Sequence, residues 1–429
     1  MFHMGWFLSY TVQNWRDPWN GNGSDLWIEP ELYIEAAKAL ERAGFDYLMF
    51  EDGSFVPDAF RGSMEYALSN AAIAPKHDPL TLIAPIARET ERIGLIATVT
   101  TSFYPPFLAA RLASTLDTLS GGRFGINLVT AHNDRTAQNF GLDRHHEHDL
   151  RYEMADEWVC AATALWDGWE RDALTLDEAN GVFASADKVH YANFEGTYYR
   201  TRGPLNLPPS PQLRPVLCQA GGSSAGMRFG AQHADTIIAQ AGDIPTMKQF
   251  RETVRELAQE AGRDPDSVKV LFLASFVLED SDRAAQEKDA QMRAASEANI
   301  EANLAMLSFS SGIDFGKFDL DAPVPQVETN AARATTAHHL RNSEGRTLRE
   351  IVSTRSTGAF NFVGSVPTVA DQMSEVAVEV GGDGFLVQAP IIPRTVHRIA
   401  DGLAPELRRR GLIRADYDYH TLRENLLAF

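Results

Sequence analysis

The residues of this chain best suited to chemistry run from Pro215 to Gly226, P-V-L-C-Q-A-G-G-S-S-A-G. Val216, Leu217 and Cys218 form a short apolar run that reads as a buried strand. It passes through two glycines and two serines into a helical pattern at Ala225–Ala234. Such a turn points backbone N–H groups and the positive end of a helix at one spot, which suits a phosphate. Gly222 lets the backbone approach closely, and Ser223 and Ser224 offer hydroxyl donors. Taken alone, the stretch serves equally well as an ordinary connection punctuated by Gly and Ser.

A second set of polar residues falls at the ends of other apolar runs: Asp52, Thr98, Thr100, Thr101, Asn127, Thr130, Gln219, Gln240 and Gln388. Two-residue alternation puts Thr98 and Thr100 on one face and Thr101 on the other. A rim of amides and hydroxyls suits a flat, hydrogen-bonding ligand better than a metal ion. His145-His146-Glu147-His148 has no partner motif at zinc-site spacing, so no metal is expected. His148 and Tyr152 are four apart and share a face at a helix start, next to Arg151. No G-x-S-x-G is present, and neither Cys160 nor Cys218 is spaced with a histidine as a nucleophile; both read as small buried hydrophobes. The rim can orient a ligand but offers little that attacks, as expected when a cofactor carries the hard chemistry.

The elements that must position these groups alternate along the chain. Apolar strand patterns fall at Met4–Leu8, Phe45–Phe50, Ile93–Thr101, Phe124–Val129, Val216–Cys218, Thr236–Ala241, Val268–Val277 and Gly384–Gln388. Amphipathic helical patterns separate them, among them Pro30–Ala43, Pro106–Leu119, Tyr152–Trp166 and Val366–Val380, with a closing helix at Thr395–Arg410. Eight strands alternating with helices predict an α/β fold, a (β/α)8 TIM barrel, over residues 1–429 as one domain, with a doubly wound open sheet as the alternative. Long segments at about 53–78, 131–150, 167–213 and 279–365 interrupt the repeat. Three of them follow the carboxyl ends of strands, where barrel active sites lie; the last is long enough for a lid. Gly21-Asn22-Gly23 follows no strand and lacks a third glycine, so it is not a dinucleotide fingerprint.

Composition narrows the partners. A net charge of −19 over 429 residues argues against nucleic acid and anionic membranes. No apolar run approaches the roughly 18 residues of a membrane span. Met1–Val12 lacks the basic start of a signal peptide, so a reducing cytoplasm is the expected setting.

With these motifs in view, the chain resembles the nitrilotriacetate monooxygenase component A and dibenzothiophene-sulfone monooxygenase group of bacterial-luciferase-like flavin enzymes. The resemblance covers about residues 4–428. It is carried by W-R-D-P at Trp15–Pro18, F-D-Y-L-M-F-E-D ending at Asp52, D-P-L-T-L at Asp78–Leu82 and S-G-G-R-F-G-I-N-L-V-T at Ser120–Thr130. N-F-G at Asn139–Gly141, H-D-L-R-Y-E-M-A-D-E at His148–Glu157, K-V-H at Lys188–His190, R-G-P-L-N at Arg202–Asn206, Q-A-G-G-S-S-A-G and the terminal T-L-R-E-N-L complete it.

The resemblance implies a barrel using FMN, reduced by a separate NAD(P)H:flavin reductase, with O2 as co-substrate. One oxygen atom would enter a small organic substrate, heteroaromatic in type, often with cleavage of a C–N, C–S or C–halogen bond. It implies a homodimer or homotetramer. Carried over by position, Asp52 and Thr98 or Thr100 would lie near the flavin ring and Asn127 at its edge. His148 and Tyr152 would meet the ribityl chain and phosphate; Gly222, Ser223 and Ser224 would hold the phosphate. Asn127 and Thr100 would act on the oxygen chemistry.

Three departures from the family pattern, Ile126 before Asn127, Ala131-His132 after Thr130, and Asp17 in W-R-D-P, fall on the expected substrate side. His132 reads either as a general base near the ring or as a loop histidine. Two further activities fit the same frame: a flavin-dependent lyase acting on riboflavin or a related heterocycle, and a deazaflavin-dependent oxidoreductase.

Overall fold

The computed structural model describes residues 1–13, 15, 26–324, 327, 329–331, 336, 340, 345–353 and 358–429. Residues 16–18 of the W-R-D-P motif, the 21–23 run and parts of the predicted lid segment lie outside the described residues.

Eight strands form the barrel: β1 (His3–Ser9), β2 (Tyr47–Glu51), β3 (Gly94–Thr100), β4 (Phe124–Val129), β5 (Val216–Gln219), β6 (Thr236–Ala239), β7 (Lys269–Leu278) and β8 (Gly384–Gln388). They pair in the order β6-β5-β4-β3-β2-β1-β8-β7, every pair parallel, and β6 pairs with β7 to close the ring. Parallel strands are covered on both faces, which explains why they read as unbroken apolar runs. In β2, Tyr47 and Met49 join the cluster inside the ring, while Leu48 and Phe50 join the layer under the helices. Cys218 is buried inside the ring, and burial pushes its thiol well above its ordinary range. Cys160 departs from expectation: it is exposed, because its position falls on the solvent side of its helix.

The main helices are α1 (Pro30–Arg42), α2 (Leu80–Glu89), α3 (Pro106–Leu119), α4 (His148–Trp166), α5 (Ser224–His233), α6 (Ile244–Glu260), α7 (Asp282–Ala298), α8 (Ile300–Ser311) and α9 (Val366–Val380). The helix α4 begins one turn earlier than its apolar periodicity alone indicates, with Asp149 in its first turn complementing the helix dipole. The closing helix runs Pro393–His397, then a π-helical stretch Arg398–Leu403, then Ala404–Arg409. The wider turn falls just before Pro405, which has no N–H to give to a regular helix. A ninth parallel strand, Phe360–Gly364, extends the rim by pairing with Ala274–Leu278 of β7. In the sequence it falls inside the long 279–365 segment, because five residues between irregular flanks do not stand out as a barrel strand.

The amino-terminal end of the barrel is plugged. Leu422 and Leu426 enter the inner cluster from below. Beside them the Asp46 carboxylate accepts from the Met4 N–H at 2.8 Å, lies 2.8 Å from His3 Nδ1 and pairs with the Arg414 guanidinium. Burial pushes the Asp46 carboxyl up, but His3 and Arg414 outweigh it and hold it below its ordinary value. Among the described residues, no helix is long and apolar enough to cross a membrane.

Candidate active site

The opposite end of the barrel opens into a cavity of about 490 Å³, within the size range of small-molecule sites. Its wall draws on the carboxyl ends of β2 to β6 and β8 and on the connections after β2, β4 and β7. Asp52, Thr98, Thr100, Thr130, His132, His148, Tyr152, Gln219, Gly222, Ser223, Gln240 and Gln388 all reach it. Thr101 faces away and donates weakly to the Val129 carbonyl, as two-residue alternation predicted.

One corner is the glycine–serine turn. Ser223 is the N-cap of α5, and its hydroxyl accepts from the Gly226 N–H at 3.1 Å. The Ser223 side chain also stands by the Tyr152 hydroxyl and favours its ionised form, against the rise that burial causes. A Cβ added at Gly221 would lie 2.9 Å from the Tyr152 hydroxyl, and one at Gly226 would lie 2.8 Å from it. Only glycine leaves room for this approach. Gln219 stands beside the turn, 3% exposed, with its amide oxygen making no hydrogen bond in the structure. Its amide nitrogen is where a Cβ at Gly221 would fall, 2.1 Å away. A helix N-terminus, a hydroxyl pair, an uncommitted amide and a bare backbone thus converge at one point. Their polarity, a helix N-terminus with hydroxyl and amide groups around it, is of the kind that suits an anion such as a phosphate. Ser224 is exposed and does not reach the cavity wall.

The helix α4 brings His148 and Tyr152 to the same corner. Their rings meet edge to face at 5.2 Å, as their four-residue spacing implied. His148 Nδ1 lies 2.7 Å from Asp149 Oδ1. Arg151, 2% exposed, donates to the carbonyls of Ala131 at 3.0 Å and Asn330 at 2.8 Å. It thereby ties the turn after β4 to the connection after β7. Ala131 holds φ +54° on the cavity wall, a conformation costly for a residue with a Cβ.

Asn127 is placed one layer back. Its amide donates to the Thr98 hydroxyl at 2.9 Å, and that hydroxyl donates to the Phe50 carbonyl at 2.8 Å. Asn127 does not reach the cavity wall; it holds a residue that does. Its own Oδ1 is buried without a hydrogen-bond partner.

Burial shifts two titratable groups of the wall in opposite directions. It raises the Asp52 carboxyl to about 6, only partly offset by Lys76. It lowers His132 to about 4, helped by the nearby Arg151 charge. His132 is therefore neutral near pH 7 and Asp52 keeps a proton well into the mildly acid range. His145 is also lowered to about 4 by burial; its Nε2 lies 2.8 Å from the Thr130 carbonyl and its Nδ1 accepts from the His146 N–H at 2.9 Å. Both of its ring nitrogens are thus occupied, and among the described residues no group of three metal-ligating side chains converges.

The motif reading did not find Phe55 and Phe309, which line the cavity from the connections after β2 and β7. Nothing local marks either one; both lie in segments without periodicity, and only the closed fold brings them together.

Comparison with known proteins places this geometry. The model of the luciferase-like monooxygenase family matches residues 2–384. The dibenzothiophene-sulfone monooxygenase of Rhodococcus erythropolis is 35% identical, over 98% of this chain and 95% of its own. The dimethyl-sulfide monooxygenase of Hyphomicrobium sulfonivorans is 36% identical, over 99% of this chain and 89% of its own. A riboflavin lyase, solved with modified FMN and riboflavin, superposes with a TM-score of 0.90 at 30% identity, over 100% of this chain and 96% of its own. A closed parallel barrel, a glycine–serine turn between β5 and α5 and full-length similarity all agree: the chain belongs to the luciferase-like monooxygenase family of flavin-dependent enzymes.

Proposed function

We propose that this protein is the oxygenating half of a two-component monooxygenase: a single barrel domain that takes reduced FMN from a separate NAD(P)H:flavin reductase and uses O2. The substrate is a small, heteroaromatic organic molecule, and oxygenation cleaves a bond from carbon to a heteroatom. The observation that carries this reading is the cradle of Gly221, Gly226, Ser223 and Tyr152 opening into a cavity of about 490 Å³.

In this reading Tyr152, Ser223 and the Gly222 backbone hold the phosphate, with Ser224 contributing its backbone N–H, since its side chain is exposed. His148 meets the ribityl chain. Asp52, Thr98 and Thr100 face the ring, and Asn127 keeps the Thr98 hydroxyl in place. The bound flavin supplies the electrons that activate O2. Asp52, protonated up to about pH 6, can hold a proton beside the ring, and His132, neutral with its Nε2 taken up by the Asn133 amide, contributes its ring face rather than a base. The apolar part of the wall excludes water. A cytoplasmic setting and a homodimer or homotetramer accompany this reading.

The test is an anaerobic titration with reduced FMN and, in parallel, reduced lumiflavin, which has the same ring without the phosphate. FMN should bind at least tenfold tighter; equal affinities would overturn the phosphate assignment. The protein alone should not oxidise NADH, and a reductase with FMN should restore turnover. With 18O2, one labelled oxygen should appear in the product. The full-length match to a riboflavin lyase favours one second reading, fragmentation of riboflavin or a related heterocycle. Depletion of riboflavin in the same assay separates the two.

A further inference from the structure

Three rings form one side of the cavity. Phe55 and Phe309 lie nearly parallel, 10° apart, with centroids at 5.7 Å. His132 stands edge-on to both, 6.1 Å from Phe55 and 5.6 Å from Phe309. All three line the cavity. The His132 ring is held in orientation by its neighbour. Asn133 caps the following short helix by accepting from the Thr136 N–H at 2.8 Å, and its amide nitrogen lies 3.2 Å from His132 Nε2. With Nε2 as acceptor, the proton of the neutral imidazole sits on Nδ1.

Charge on the wall is sparse. Among the described residues that line the cavity, the one Lys or Arg is Arg151, and both its Nη atoms donate to backbone carbonyls. The wall also carries the Asp52 carboxyl. An anionic substrate would lose its hydration and meet an acidic group and a guanidinium whose two Nη atoms already donate to backbone carbonyls. A flat neutral molecule would instead keep ring faces and edges at good stacking geometry.

We propose that Phe55, Phe309 and His132 form a substrate-selecting wall that accepts uncharged, flat aromatic molecules and rejects carboxylates and sulfonates of the same shape. This rests on the flavin reading for the reaction, but its selectivity can be measured independently. The probes are 2-naphthamide and 2-naphthoate, which are nearly isosteric and differ in charge. Each is titrated calorimetrically into the full-length protein, with and without reduced FMN under anaerobic conditions. The amide should bind at least tenfold tighter than the carboxylate. Phe55→Leu and Phe309→Leu should each weaken amide binding about five- to tenfold while FMN affinity stays within twofold. His132→Gln, which keeps a neutral polar group but removes the ring, should weaken it by a similar factor. Conservative leucine variants and unchanged far-ultraviolet circular dichroism guard against misfolding. Three results would overturn the proposal: no detectable amide binding, carboxylate binding as tight as the amide, or wild-type amide affinity in both leucine variants. Failure of FMN to bind, with the amide preference intact, would count against the flavin reading and leave the selecting wall standing.

Discussion

Strand β2 carries an aspartate just outside each end, and the two behave in opposite ways. Asp46, at the plugged end, is fully buried and its carboxylate is matched by His3, the Met4 N–H and Arg414. Asp52, at the open end, is desolvated with only partial compensation from Lys76, and its carboxyl rises to about 6. The chain spends its complementary charges at the bottom of the barrel and withholds them at the top. A carboxyl that is desolvated but not paired is a poor contributor to stability and a useful proton holder near neutral pH.

The largest effect should come from breaking the bottom cluster. Asp46→Asn leaves Arg414 and His3 buried without their carboxylate, and loss of one partner of a buried pair costs about 3–5 kcal/mol. Asp52→Asn, which removes a desolvated carboxylate, should instead raise stability at pH 7.5, by at most about 3 kcal/mol. Urea unfolding of both variants checks the pair. If the two substitutions cost the same, the division of labour between the two ends is wrong.

Acid stability offers the next test, and its sign follows from the shifts. His132 and His145 fall from 6.5 to about 4 in the fold. Between those values the unfolded chain binds more protons, so each makes the protein less stable as pH falls. Asp52 rises from 3.8 to about 6, so the folded state binds the extra proton and gains stability as pH falls through that window. Each change of this size is worth about 3 kcal/mol at most. One histidine is therefore roughly offset by Asp52, leaving a net loss of about 2–3 kcal/mol between pH 6.5 and 4. His145→Gln should remove much of that loss, and Asp52→Asn should enlarge it. Stability curves at pH 4, 5, 6 and 7 would show no such divergence if the two groups titrate near their ordinary values.

How much of this could be read from the chain follows the same division. The barrel strands were legible because each is an apolar run buried on both faces, and the helix limits because Pro30 and Pro106 start helices and glycines follow others. The cradle was legible because its chemistry is local: glycine, serine and a helix start within one turn. His148 and Tyr152 were legible for the same reason, at four-residue spacing on α4. The aromatic wall was not, because Phe55, His132 and Phe309 come from three separate connections. Asn127 was visible as a rim amide, but its place behind Thr98 depends on the pairing of β3 with β4 that sets Thr98 opposite Asn127.

Within the open end, the cradle should respond more than the layer behind it. If the cradle holds the phosphate as proposed, Tyr152→Phe removes one of its hydrogen-bonding groups and should weaken reduced FMN by about 1–3 kcal/mol. Gly226→Ala should weaken it as well, because the new methyl would press on the Tyr152 hydroxyl from 2.8 Å. Unfolding midpoints of Tyr152→Phe should stay near wild type. Unchanged FMN affinity in both variants would remove the cradle from the flavin site.

The smallest effect on binding belongs to Asn127, and it separates positioning from contact. Its amide holds the Thr98 hydroxyl from behind, 2.9 Å away, without reaching the cavity. Asn127→Ala frees Thr98 to turn while leaving the wall's outline intact, so FMN affinity should stay within about twofold and stability should fall by about 1 kcal/mol. A misplaced hydroxyl beside the ring should instead appear in the outcome of O2 activation: less oxygenated product and more free hydrogen peroxide per flavin oxidised. Thr98→Val keeps the shape and removes the hydroxyl, so it should show the same change in that ratio. The double variant should then be no worse than either single one, since both act through one group. A normal product-to-peroxide ratio in Asn127→Ala, with only its stability lowered, would make the Asn127–Thr98 pair part of the frame rather than of the chemistry.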